Sequence, residues 1–306
     1  MSGHHHHHHG GHEHGPNTHN LAFGLGIALN ISFVLIETFY GFQSQSLALL
    51  ADAGHNLSDV LGLVLAWAAL WVGRLRPDDR HTYGWQRASI MAALINALIL
   101  LFAMGSMAWE AVHRFSSPSP IEGQTVMLVA AAGVLVNGVT AWLFMSGSHG
   151  DINLRGAFLH MAGDALVSLG VVMVGGFYLW TGAAWLDPVT SLIIAVLVLA
   201  GTWSLFSQSL HLAFDGVPQS VRLPDVRNHL ATLPGVAEVH DLHVWAMSST
   251  ETALTAHLVM PSGHPGDAFI AGVAETLHDE FDIEHATLQI EIGDSDQACR
   301  LVSHAS

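Results

Sequence analysis

The chain has 306 residues, of which 51% are hydrophobic and only 11% charged, well below the roughly one-quarter charged share of a soluble domain. That balance argues for several membrane helices with room for one small soluble domain. Nine basic residues, every one an arginine, stand against 25 acidic ones, and the formal charge of −16 argues against a nucleic-acid partner, which needs a basic face.

Residues 1–20 are polar and rich in Gly and His, a composition that predicts disorder. The run from His4 to His9, with its continuation through His12, Glu13, His14 and His19, reads either as a purification tag or as a native metal-collecting tail. Six apolar stretches follow, at about 21–42, 47–73, 88–113, 124–146, 153–180 and 185–210. Each approaches the roughly 20 residues that cross a bilayer. Arg74, Arg76, Arg80 and Arg87 sit between the second and third, and Arg155 opens the fifth. The opposite loops hold only Arg114. Arginines gather on the cytoplasmic side, so both termini are expected in the cytoplasm and the bundle in the inner (plasma) membrane.

From about Asp215 the composition turns polar. Residues 221–233 predict a helix, 236–247 and 252–260 two strands, 267–281 a helix and 286–292 a third strand. This order predicts a two-layer α+β domain. An exposed sheet edge there suits pairing with a second copy. Cys299 is the one cysteine, so no internal disulfide and no cysteine-rich zinc finger forms. The expected domains are a tail over 1–20, a transmembrane domain over 21–212, a cytoplasmic domain over 213–293 and a disordered tail over 294–306.

The chemistry concentrates in two motifs. The second span carries His55 and Asp59, and the fifth carries His160 and Asp164. A spacing of four puts each pair on one helix face. Ionisable groups inside a bilayer are costly and mark functional sites, and small residues beside both motifs, Ala53-Gly54 and Ala162-Gly163, would let the helices approach. Two imidazoles and two carboxylates make a four-coordinate donor set for zinc. Zinc binds neutral imidazole, so its release lets a proton bind near neutral pH. Asn30 and Asn137 read either as supporting donors or as polar contacts between helices.

The residues from Ser46 to Asp59 resemble the second helix of the cation diffusion facilitator family, in its bacterial zinc, cobalt and cadmium efflux branch. Arg80-His81-Thr82-Tyr83-Gly84-Trp85 resembles that family's next loop, and His240-Asp241-Leu242-His243-Val244-Trp245 its first cytoplasmic strand. The resemblance covers about residues 20–293. It implies a membrane all-α bundle of six transmembrane helices plus a small cytoplasmic α+β, ferredoxin-like domain. It implies a homodimer that exports zinc by proton antiport and alternating access, with His55, Asp59, His160 and Asp164 as the transport site. Histidine rather than aspartate at position 55 implies a preference for zinc over cadmium, with cobalt a further substrate to test. It also implies a cytoplasmic metal site of His240, His257, His285 and Glu291, with His243 as either a further ligand or a core residue. A loop site in some relatives uses an Asp and two His. Asp78 and His81 match it, but Trp85 stands at the second His position. The rival readings are a membrane-anchored zinc sensor and a membrane metalloenzyme. The latter finds no H-E-x-x-H pattern. A channel is disfavoured, because a tight four-ligand site releases ions too slowly.

Overall fold

A computed structural model describes residues 18–117, 120–145 and 152–293. The tail expected over 1–20 lies outside these residues except for its last three, which begin the first helix, and the tail over 294–306 lies wholly outside them. Six long helices follow the six apolar stretches: α1 (Thr18–Gln43), α2 (Leu47–Gly73), α3 (Ala88–Ser116), α4 (Gly123–Met145), α5 (Ile152–Thr181) and α6 (Leu186–Ala213). Five of them, α2 to α6, are long and apolar enough to cross a membrane, and α1 adds a sixth helix of 26 residues. Their outward apolar side chains, such as Trp67, Phe102 and Trp142, are exposed, as lipid-facing surface should be. The six-helix membrane architecture is thus a direct consequence of apolar runs that cannot leave backbone groups unpaired in lipid.

The described residues pack as two compact units, divided within α2, α3 and α6. The first takes the chain up to Asn56 together with Ala111 to Ser191. Here α4 and α5 lie side by side, and α1 packs on α4. Gly133 and Gly123 make the closest approaches of this unit: a Cβ at Gly133 would sit 2.7 Å from the Phe33 ring and 3.0 Å from the Ser168 hydroxyl, and one at Gly123 2.7 Å from the Tyr178 ring. At Gly163 a Cβ would meet nothing within 4 Å. The close packing expected there is carried by Gly133 instead, and by Gly175, whose Cβ would lie 3.2 Å from the Gly123 carbonyl oxygen.

Asp187, at the start of α6, organises one end of this unit. Its carboxylate accepts bonds from the Leu47 N–H at 2.8 Å, the Ala48 N–H at 3.3 Å and the Ser46 hydroxyl at 2.5 Å. These are N-terminal donors of α2 that no intrahelical partner can satisfy. Arg114 stands 3.9 Å from the same carboxylate. A buried charge is tolerable when it is paired and hydrogen-bonded in this way.

The second unit takes Leu57 to Glu110 and the described chain from Leu192 onward. It contains the soluble domain: α7 (Leu223–Ala231), β1 (Glu238–Ala246), β2 (Thr252–Val259), α8 (Asp267–Phe281) and β3 (His285–Glu291). The sheet order is β1-β2-β3, with β1 antiparallel and β3 parallel to the central β2. Val226 and Leu230 of α7 and Val273 and Leu277 of α8 are each four apart, so each pair lines one helix face. They meet Leu242, Val244, Leu254, Ala256 and Leu258 of the strands in a single core. The other sheet face is left for half-buried polar residues, among them His240, His257 and Glu291.

Candidate metal sites

In the first unit, Asp52 and Ser168 fix where the membrane motifs meet. The Ser168 hydroxyl donates to Asp52 at 3.0 Å, joining α2 to α5. His55 lies three residues after Asp52, and Asp164 four residues before Ser168, so one turn of each helix brings them together. His55 Nε2 is 3.5 Å from one Asp164 oxygen, and His160 Nε2 is 3.6 Å from the other. A tetrahedron with metal bonds near 2.1 Å has edges of about 3.4 Å, and both separations are close to that. The two rings stand edge to face, with centroids 5.9 Å apart. Asp59 follows His55 by one turn on the same helix. Asp164 is almost fully buried, whereas His160 is 41% exposed.

A second buried acidic pair sits nearby in α1 and α2. Glu37 and Asp52 are both fully buried, and their carboxyls face one another, with Asn56 beside Glu37. Asn30 donates to the Met161 sulfur at 3.9 Å, while Asn137 is buried in α4.

The soluble domain gathers another donor set, and strand register explains it. His240 is the direct cross-strand partner of His257. Glu291 lies two residues past Gln289, the partner of His257 in β3, so it reaches His257 diagonally. His240 Nε2 is 3.2 Å from Glu291, and His257 Nδ1 is 2.9 Å from it. Ligand atoms of all three lie within 4.8 Å of one another. His285 pairs with Ala253, four residues from His257 along β2, which is about 13 Å at the strand rise. It stacks edge-on against Tyr83 instead.

Asp241 was not among the residues singled out from the sequence. A register shift between His240 and His243, with Asp241 at φ 48°, turns its carboxylate toward the same face. One Asp241 oxygen is 3.4 Å from His257 and the other 3.0 Å from His243. In the helix-two loop, Asp78 accepts the backbone N–H of Arg80 at 2.8 Å and of His81 at 2.6 Å. Those bonds hold its carboxyl below the usual carboxylate range, with the His81 ring, 3.2 Å away, adding to the effect. The His81 ring stacks on Trp85 with centroids 4.1 Å apart.

Residues 25–212 match the cation efflux transmembrane domain, and residues 218–292 match the cytoplasmic domain of cation efflux proteins. The chain belongs to the cation efflux family. It is 37% identical over 277 residues to the zinc transporter ZitB of Escherichia coli (strain K12), covering 90% of this chain and 88% of that one. It is 35% identical over 290 residues to the metal cation efflux system protein CzcD of Cupriavidus metallidurans, covering 94% and 92%. It is also 32% identical over 252 residues to the cadmium, cobalt and zinc/H(+)-K(+) antiporter of Bacillus subtilis, covering 82% and 81%. Cation efflux proteins are transporters rather than enzymes, and this one is a multi-pass membrane protein with a cytoplasmic domain.

Proposed function

We infer that this cation efflux protein exports zinc from the cytoplasm in exchange for protons, by alternating access and as a homodimer. The carrying observation is the Asp164 carboxylate held between His55 and His160 at separations of 3.5 and 3.6 Å. Asp59 completes the set as a fourth donor. Two carboxylates balance a divalent charge, so a loaded site is nearly neutral and less costly inside a bilayer. Neutral imidazole binds either zinc or a proton, never both at one nitrogen, which couples metal release to proton uptake. A His₂Asp₂ set suits zinc better than softer ions. The relatives named for zinc, cadmium and cobalt support this substrate class.

The transmembrane domain is proposed to run over 21–212 and the cytoplasmic domain over 213–293. Four arginines in residues 74–87 support a cytoplasmic loop, with both termini on the same side of the inner (plasma) membrane. His240, His257 and Glu291, with Asp241 beside them, are proposed to bind cytoplasmic zinc and tighten the dimer.

Vesicle transport tests the export reading. Reconstituted protein should drive zinc against its own gradient when a pH gradient is imposed, and Asp59→Ala should stop it. Zinc flux that ignores the proton gradient would overturn antiport. Flux that survives Asp59→Ala would overturn the fourth donor.

A further inference from the structure

The loop joining α2 to α3 borders an open cavity of about 760 Å³ in the second unit. Leu65 and Val72 of α2, Met91 and Ile95 of α3, and Trp245 and Met247 of the soluble domain line it. Both helices are membrane spans, and the soluble domain is cytoplasmic, so the cavity sits where the bilayer's cytoplasmic surface meets the protein. Tyr83 and Trp85 also line it, and each keeps more than two-fifths of its surface exposed. Aromatic side chains of this kind sit at headgroup depth.

The charge around the cavity differs from the rest of the molecule. The chain carries a formal charge of −16, yet four of its nine arginines fall within residues 74–87. Arg87 lines the cavity and is paired with Asp215. Arg74, Arg76 and Arg80 are exposed. None of the three joins an ion pair among the described residues. Asp78 and Asp79, also exposed in this loop, offset two of these three charges and leave residues 74–80 with one positive charge in excess.

An apolar cavity lined by a loop that carries an excess of arginine, at a bilayer surface, suits an amphiphile with a negative headgroup. Water gains little in an apolar space. A free anion would use the arginines and leave the cavity unfilled. A second copy of this chain would bring its own basic loop against this one. We propose that this cavity binds an anionic phospholipid, with an acyl chain between α2 and α3 and the phosphate among Arg74, Arg76 and Arg80. Basic pockets beside membrane helices on the cytoplasmic side bind such headgroups.

The test is native mass spectrometry of the delipidated full chain in detergent. Phosphatidylglycerol and phosphatidylcholine with identical tails are titrated separately. The expected result is one tightly held lipid per chain, with phosphatidylglycerol preferred about tenfold. Replacing Arg74, Arg76 and Arg80 together by Gln should abolish that preference. Ala92→Trp, which narrows the cavity between α2 and α3 and keeps every charge, should lower occupancy by both lipids. A circular-dichroism melt checks that each variant is folded, and Ala92→Leu replaces Ala92→Trp where the larger residue unfolds. Equal binding of the two lipids to the unaltered protein would overturn the proposal. So would a preference that survives the triple arginine change. Undiminished occupancy in the narrowed variant would overturn it too, and a shift in the dimer fraction alone would assign the cavity to a second copy.

Discussion

Asp164→Asn is the most informative single change. It keeps the shape of the side chain and removes one negative charge from between two imidazoles 3.5 and 3.6 Å away. Four-ligand zinc sites contribute about 10–16 kcal/mol at neutral pH, so an average donor contributes about 3–4 kcal/mol. An amide oxygen remains a weak ligand, and the loss is expected at the lower end, near 3 kcal/mol or about 100-fold in affinity. The loaded site would also keep an uncompensated positive charge in the membrane, which adds to the loss. Isothermal titration with zinc in detergent measures the affinity, and vesicle flux under a fixed pH gradient measures the consequence. A melting curve establishes that the variant is folded. An affinity within about threefold of the unaltered protein would refute the bridging role of Asp164.

Three further outcomes follow from other parts of the molecule. Asp187→Ala strips the acceptor from the buried N–H groups of Leu47 and Ala48, costing about 2–5 kcal/mol of stability. Asp187→Asn should recover part of it, and a denaturation midpoint unchanged by the alanine variant would show that these bonds contribute nothing. Glu291→Gln removes the carboxylate shared by His240 and His257, so zinc binding in the cytoplasmic domain should weaken by at least about tenfold. Transport at saturating zinc should persist, and its abolition would mean that the two sites are not separable. The Asp279 carboxylate, 2.9 Å from the His278 ring, raises the His278 pKa above the ordinary imidazole value. The raised value makes this contact fully stabilising at acid pH, and the contribution is lost as pH rises through it. In ¹³C-histidine spectra the His278 signal should titrate above its position in Asp279→Asn, and coincident titrations would refute the pairing.

The sequence made the fold legible where one physical demand dominated. Each apolar run became one helix because a bilayer allows the backbone no other partner, and α2 spans 47–73 as the apolar run does. The helix at Asp267–Phe281 was equally legible, because Pro and Gly punctuation bounds an amphipathic stretch. Features that depend on register were not legible. His257 and Glu291 could be read as pointing away from the apolar face, and their half-buried positions follow that alternation. Their distance from His285 could not be read, because it depends on β3 pairing parallel to β2 with Gln289 opposite His257. Asp241 was hidden for a related reason. Strict alternation in β1 assigns it to the face opposite His240, and only the irregularity before His243 turns it around. One small residue beside the His–Asp motifs, Gly163, was not needed for the approach. Gly163 suggested close approach, yet the contacts that need a missing side chain lie at Gly133 and Gly175.

The placement of these groups separates two tasks that one metal chemistry could otherwise confuse. The membrane set draws its donors from two helices, and one of its carboxylates, Asp164, is almost wholly buried between imidazoles. A site carried on separate helices can be dismantled when those helices move apart, which transport requires. The cytoplasmic set draws its donors from three hydrogen-bonded strands in fixed register. Strands tied by ladder bonds cannot part without unfolding the sheet, so the spacing of that set is fixed by the register. On the proposed function, the same donor types would serve release in one place and retention in the other, and the difference would lie in the elements that carry them.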